Sequence, residues 1–318
     1  MRTSSPERIK KFTEKGYWGS HALHDYLAQW AKDTPSRLAV VDQPNKAELT
    51  ELPCQRLSYS DMETASDRLA AELLRQGAKP GARLMVQLPN ISELVICYYA
   101  ASKLGLIVSP LPVQYGTHEL RQLAGVLEPW AFLTLFSFRG QELAATARQA
   151  LPSVSILTVG EEVFSSSSDP SADDLERYRR QHDTDANDIF TVCWTSGTTG
   201  TPKGVPRSHN MWIAICRNTT EAGQYAEGEV LLAPFPLINM AGISGFLFPA
   251  AVKGSTLVLH HPLDPPLYLK QLQDEKVNFT IAPPALLNQL AQQRELWDRY
   301  DFAALRAVGS GSAPLSPS

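Results

Sequence analysis

Short apolar runs alternate with helical patterns along most of this chain, and that alternation leaves few architectures open. "RLAVVD", "ARLMVQL", "LIVSPL", "WAFLTL" and "VSILTV" read as strands of four to seven residues. Between them, "SDMETASDRLAAELLRQG" carries Met62, Ala65, Leu69 and Leu73 on one helical face, a capping box expected at Ser60 and Glu63, and Gly77 as a stop. "SELVICYYAASKLG" is apolar nearly all round and predicts a buried helix, and "THELRQLAGVLE" predicts a helix opened by Thr117. Parallel strands need crossovers, and helices supply them, so the expected class is α/β with mostly parallel sheets covered on both faces.

The pattern breaks once. "SSSSDPSADD", residues 165–174, has no period and reads as a mobile surface loop, followed by the charged "LERYRRQHDTDAND". Alternation resumes with "DIFTVCW", "EVLLAPF", "STLVLHH", "VNFTIAPP" and "LRAVGSG" as strands, and "MWIAICRNTTEAG", "DPPLYLKQLQDEK" and "PALLNQLAQQ" as helices. Two successive strand-helix units are expected, over residues 1–160 and 189–318, joined by a mobile linker over 161–188.

Whole-chain chemistry excludes several classes. The 318 residues have a formal net charge of −4, so nothing draws the chain as a whole to nucleic acid. Cys54, Cys97, Cys193 and Cys216 show no CxxC spacing and predict free thiols in a cytoplasmic protein rather than disulfides or zinc. The most apolar stretch, "LVICYYAASKLGLIVSPLPV", is interrupted by Lys103, Gly105 and two prolines, so no membrane span is expected. His260 and His261 lack metal-ligand spacing and read as a strand end, and no metal site is expected within the chain.

One loop stands apart from this framework. "WTSGTTGTPKGVPRSHN", Trp194 to Asn210, follows the strand "DIFTVCW" and precedes a helix expected near Ser208, which puts it at the carboxyl end of a strand, where α/β sheets bind ligands. Gly197 and Gly200 let amides converge, Thr195, Ser196, Thr198 and Thr199 add hydroxyls, and Lys203 adds a charge. Those donors suit a polyphosphate; the duller reading is a polar turn. Two residues separate the glycines and Gly204 follows Lys203, which is not the spacing of a nucleotide-hydrolysing P-loop. Arg207, His209 and Asn210 read evenly as functional groups or as caps of the helix that follows.

"TSGTTGTPKGV" resembles the phosphate loop of the adenylate-forming superfamily, which includes acyl- and aryl-CoA synthetases, peptide-synthetase adenylation domains and luciferases. "KGYW", "QLPN" and "VPRSHN" are similar to aryl-acid-AMP ligases and to short- and medium-chain acyl-CoA synthetases, and "GSGSAPLSP" is similar to the family's adenine loop. The resemblance implies the large N-terminal domain of such an enzyme, in which Thr195 to Lys203 hold the ATP phosphates, Lys203 serves catalysis, and Ser310, Gly311, Ser312, Ala313 and Pro314 line the adenine. It implies ATP with Mg²⁺ (whose ligands fall largely outside this chain), a small carboxylic acid, and CoA or the phosphopantetheine of an acyl carrier protein as acceptor. Asn239, Met240, Ala241, Gly242 and Gly309 would border the acid. In "PFPLINMAGI", Asn239 takes the place of the family's His, and Met240 replaces the Asn that reads a ring hydroxyl in dihydroxybenzoate ligases. That departure tilts the expectation toward an apolar pocket; ordinary packing at a helix start is the alternative for Met240. The family's later segments, including a ribose-binding Asp and a mobile domain carrying the adenylation Lys, do not occur in these residues. The chain is therefore expected to be the front part of a ligase, inactive alone, with a non-catalytic nucleotide-binding remnant as the alternative.

Overall fold

The computed structural model describes residues 1–164, 172–195, 202–292, 295 and 299–311. Two six-stranded sheets carry the architecture. Numbered in chain order, the strands are β1 (Leu38–Val41), β2 (Arg56–Ser58), β3 (Arg83–Gln87), β4 (Ile107–Pro110), β5 (Ala131–Thr134), β6 (Ser137–Phe138) and β7 (Gln141–Glu142). They continue with β8 (Ser155–Thr158), β9 (Ile189–Thr195), β10 (Lys203–Ser208), β11 (Val230–Ala233), β12 (Thr256–Leu259), β13 (Phe279–Ala282) and β14 (Ala307–Ser310). The first sheet has the order β10-β9-β4-β3-β5-β8 and the second β14-β13-β11-β12-β1-β2, while β6 and β7 form a separate hairpin. Each sheet is parallel except for one antiparallel edge strand, β10 in the first and β2 in the second. The residues of β4, β5 and β12 are buried throughout, as strands covered on both faces require.

Sheet membership departs from the sequence order expected for the units. β1 pairs with β12 (Val40 opposite Leu257), and β9 pairs with β4 (Val108 opposite Thr191), so each sheet draws on both stretches of sequence. One continuous core joins them, with Val40, Val86, Leu231 and Leu257 in the same cluster. At its centre the helix Ser92–Leu104 has all thirteen residues buried, as its all-round apolar sequence predicts.

Two local expectations shift. The helix Tyr59–Arg75 is capped by Ser58, whose Oγ accepts from the Asp61 amide (3.1 Å) while the Asp61 carboxylate accepts from the Ser58 amide (2.9 Å). Both Ser58/Asp61 and Ser60/Glu63 have capping-box spacing, and the extended backbone at the end of β2 (φ −72°, ψ 171°) selects the earlier pair. Part of the segment expected as a linker is a helix, Ala172–Gln181: Leu175 is buried, Tyr178 donates to the Leu104 carbonyl (2.6 Å), and Arg179 pairs with Asp67. Residues 165–171 of the serine tract lie outside the described residues.

Candidate functional site

The glycine- and threonine-rich loop is the tip of a hairpin. β9 and β10 run antiparallel with Lys203 opposite Thr195 and Gly204 opposite Trp194, so the loop does not pass straight from strand to helix as its sequence implies. Its ends, Thr195 and Lys203, face each other across the ladder and are exposed. Ser196, Gly197, Thr198, Thr199 and Gly200 lie outside the described residues. Because β9 is parallel to β4, the hairpin tip stands at the carboxyl edge of the first sheet. Gly204 has a packing reason that the sequence did not disclose. A Cβ there would lie 2.8 Å from Val192 Cγ1 and 3.4 Å from the Trp194 ring. That ring is held by its Nε1 donating to Ser109 Oγ (2.8 Å).

At the far end of β10 the helix His209–Ala222 begins where expected, and its cap is Ser208, whose Oγ accepts from the Met211 amide (3.2 Å), rather than Arg207, His209 or Asn210. His209 and Asn210 resolve toward structure. His209 Nδ1 accepts from the Leu23 amide (3.2 Å), and its ring stacks on Phe190 with centroids 4.3 Å apart. Burial, reinforced by His24 nearby, holds it well below the usual imidazole pKa. Asn210 exchanges two hydrogen bonds with the Gly19 backbone, both 2.9 Å, and donates to Asn187. Arg207 is half-buried with its guanidinium 5.0 Å over the Trp212 ring.

The residues expected around the acid gather at the carboxyl edge of the second sheet. The loop after β11 is pinned by Asn90, from "QLPN" beyond β3: its Nδ2 donates to the Phe235 carbonyl (2.7 Å), and its Oδ1 accepts from the Leu237 amide (2.8 Å). Tyr98 adds a hydroxyl bond to the Leu237 carbonyl (2.6 Å). Asn239 then caps the turn Met240–Gly242, its Oδ1 accepting from the Gly242 amide (3.3 Å). Met240 is 40% exposed, so it does not pack into the core at this helix start; Asn239 and Ala241 are exposed as well. Gly242 is different, because a Cβ would sit 2.1 Å from the Pro236 carbonyl oxygen.

Gly309 lies in β14, where a Cβ would come 3.1 Å from Ile281, and Ser310 Oγ donates to the Ala282 carbonyl (3.2 Å). Gly311 follows; Ser312, Ala313 and Pro314 are outside the described residues. Since β14, β13 and β11 are neighbours, the end of β14 at Ser310 and the loop after β11 stand about 10 Å apart at strand spacing. His260 is a fully bonded neutral imidazole at the end of β12, with Nδ1 on Gln271 Oε1 (2.6 Å) and Nε2 accepting from the Asp264 amide (3.0 Å).

A buried charged cluster escaped sequence reasoning. Lys46 is 1% exposed, and its Nζ reaches Asp42 (2.7 Å), Glu93 (2.8 Å) and Ser92 (3.1 Å). Burial raises the Glu93 pKa against the pull of Lys46. Asp42 directly follows β1 and Glu93 opens the helix after β3, so the cluster and Asn90 together bind the carboxyl edges of the two sheets to each other.

Comparison with known proteins follows the same outline. The family described as AMP-binding enzyme matches residues 27–318. The chain is 29% identical to Enterobactin synthase component E of Escherichia coli (strain K12), across 99% of this chain and 58% of that protein. It is 30% identical to a salicylyl-CoA synthase / salicylate adenylyltransferase of Streptomyces sp, across 98% of this chain and 57% of that protein. The apo structure of Mycobacterium smegmatis MbtA superposes with a TM-score of 0.79 at 23% identity, across 98% of this chain and 56% of that one, a likeness of fold. The chain thus spans somewhat over half the length of the relatives it matches.

Proposed function

The chain belongs to the AMP-binding enzyme family, and from that premise we propose that it contributes to ATP-dependent activation of a carboxylic acid as an acyl-adenylate. The observation that carries this reading is the hairpin holding Thr195 opposite Lys203 at the carboxyl edge of the first sheet. In the proposed step a carboxylate oxygen attacks the α-phosphorus of ATP, the bond from that phosphorus to the bridging oxygen breaks, and pyrophosphate leaves. Charge builds on the phosphate oxygens as it does so, and preset N–H, hydroxyl and ammonium donors lower the barrier. The donors of this chain would be Thr195, Ser196, Gly197, Thr198, Thr199, Gly200 and Lys203. The segment from Ser310 to Pro314 would lie against the adenine, and Asn239 to Gly242 with Gly309 would border the acid. Among the described residues no group of three His, Cys, Asp or Glu side chains stands together to hold a metal ion. The thiol of CoA or of a carrier protein's phosphopantetheine would then attack the acyl carbon, breaking its bond to the adenylate oxygen and releasing AMP.

The test is isotope exchange of pyrophosphate into ATP by the full polypeptide, expected only when a carboxylic acid is present. Lys203→Ala is expected to slow exchange ten-fold or more, since charge-assisted phosphate contacts contribute about 1.5–3 kcal/mol. ATP binding with no acid-dependent exchange would instead support a non-catalytic nucleotide-binding protein. For the acid, Met240 in place of a hydroxyl-reading Asn favours a modest-sized apolar body, aliphatic or simple aromatic. The Streptomyces relative named for salicylate favours the other reading, an ortho-hydroxylated benzoate. A panel of acids at equal concentration separates the two: salicylate as the best substrate would overturn the apolar reading.

A further inference from the structure

The helix Pro6–Glu14 buries none of its own residues, yet the chain is tied down on both sides of it. Before it, Arg2 pairs with Asp185 (2.6 Å), and the Ile189 amide donates to the Met1 carbonyl (2.8 Å). After it, the Gly16 and Tyr17 carbonyls accept from Arg217 Nη1 (2.6 and 3.2 Å). Ordering such a segment costs about 1–2 kcal/mol per residue in backbone entropy, and no core packing by the helix offsets that. The helix is a strap. Between it and the helix His209–Ala222 lies an open groove of about 800 Å³, within the 300–1,000 Å³ typical of organic-ligand sites.

The groove has both apolar and cationic lining residues. Phe12 and the buried Trp18, their rings 4.9 Å apart, line it with Met211. Arg8, Lys15, Arg207 and Arg217 line it with a single carboxylate, Glu221; Arg217 is engaged by the Gly16 and Tyr17 carbonyls, and among the described residues Arg8, Lys15 and Arg207 have no ion pair. Two of the guanidinium groups rest on aromatic faces instead, Arg8 over Phe12 at 5.5 Å and Arg207 over Trp212 at 5.0 Å. Arg207 lies four residues along β10 from Lys203, roughly 14 Å at strand rise, so this groove is separate from the phosphate loop.

We propose that the groove is a second ligand site, for a small amphipathic anion whose apolar body lies on Phe12, Trp18 and Met211 and whose phosphate or carboxylate head meets Arg8, Lys15 and Arg207. An anion there would gain charge-assisted hydrogen bonds from cations that have no competing carboxylate partner. The concave shape suits a free molecule rather than a flat lipid surface. This site is independent of the activation reaction.

Calorimetric titration with octyl phosphate below its micelle concentration tests the proposal, with octyl glucoside and inorganic phosphate as comparisons. Saturable binding of octyl phosphate is expected, at least ten-fold weaker for inorganic phosphate and absent for octyl glucoside. Arg8→Ala with Lys15→Ala changes two exposed side chains, one on a helix without buried residues and one at its C-cap; it is expected to weaken octyl phosphate binding ten-fold or more with unchanged thermal stability. Lys203→Ala is expected to leave that binding unchanged. Loss in Lys203→Ala with full binding in the double variant would move the ligand to the phosphate loop and overturn the proposal. Equal binding of octyl glucoside would overturn it too, as would saturable binding of an acidic peptide with no response to octyl phosphate.

Discussion

At the scale of single residues, two neighbouring glycines make a controlled comparison. Gly242 and Gly245 both lie in the helical stretch after the β11 loop, and neither has a positive φ. A Cβ on Gly242 would meet the Pro236 carbonyl oxygen at 2.1 Å and the Leu237 Cα at 2.6 Å, whereas on Gly245 the nearest atom is the Ile281 methyl at 3.7 Å. The first contact forces the loop off Asn90, which holds its backbone on both sides of Pro236. Gly242→Ala is therefore expected to lower unfolding free energy in urea by about 1–3 kcal/mol, whereas Gly245→Ala, with room for the methyl group in helical backbone, is expected to raise it by up to about 1 kcal/mol. Similar midpoints for the two variants would show that the loop yields freely. The sequence pointed to Gly242 through a resemblance. The reason for a glycine there is a close backbone approach that no residue pattern announces.

At the scale of elements, the junction of β1 with the helix Ser92–Leu104 rests on one ammonium among carboxylates. Asp42 and Glu93 are both buried, and Lys46 is the cation they share. Removing one member of a buried ion cluster leaves an uncompensated charge, which typically costs about 3–5 kcal/mol. Lys46→Met is expected to destabilise by that amount at pH 7.5, and adding Glu93→Gln to recover part of the loss. A Lys46→Met variant as stable as the parent in urea would show that water or another cation reaches the carboxylates. The elements themselves were legible: the buried helix Ser92–Leu104 and a helix starting near Ser208 follow from the apolar patterning of their sequences. The hairpin β9–β10 was not, because "KGVPRS" carries a glycine and a proline and lacks the alternation that marks a strand.

For the whole molecule, two buried histidines, His209 and His260, and two half-buried ones, His24 and His261, set a pH limit. Burial lowers His24 to about 4 despite the raising effect of Asp25, and lowers His261 to about 4 with His260 adding to the effect. His209 and His260 are shifted in the same direction, again mainly by burial. With folded pKa values below the unfolded value near 6.5, the unfolded chain binds more protons in that window. Stability is therefore full above pH 6.5 and is lost as the pH falls toward 4. His24 and His261 each account for on the order of 3 kcal/mol at 1.36 kcal/mol per pH unit. Urea midpoints measured from pH 7.5 to 4.5 should fall steadily below pH 6.5; a flat profile to pH 5 would mean that these imidazoles gain protons without opening the fold.

Local chemistry settled a good deal unaided. Alternating apolar runs dictated an α/β fold with parallel sheets, and the glycine, hydroxyl and lysine content of Thr195 to Lys203 marked the loop whose flanking residues pair at the carboxyl edge of a sheet. These follow from contacts within a few residues, where side-chain period and backbone preference act directly. Which sheet each strand joins was beyond that reach. β1 and β3 are both short apolar runs, and β1 pairs with β12 while β3 pairs with β4 and β5, a choice made by packing that reaches as far as Val40 opposite Leu257. The same holds for Lys46, Asn90 and the strap Pro6–Glu14. A polar or charged side chain shows in the sequence that it needs a partner, but only the folded chain decides which partner stands within reach.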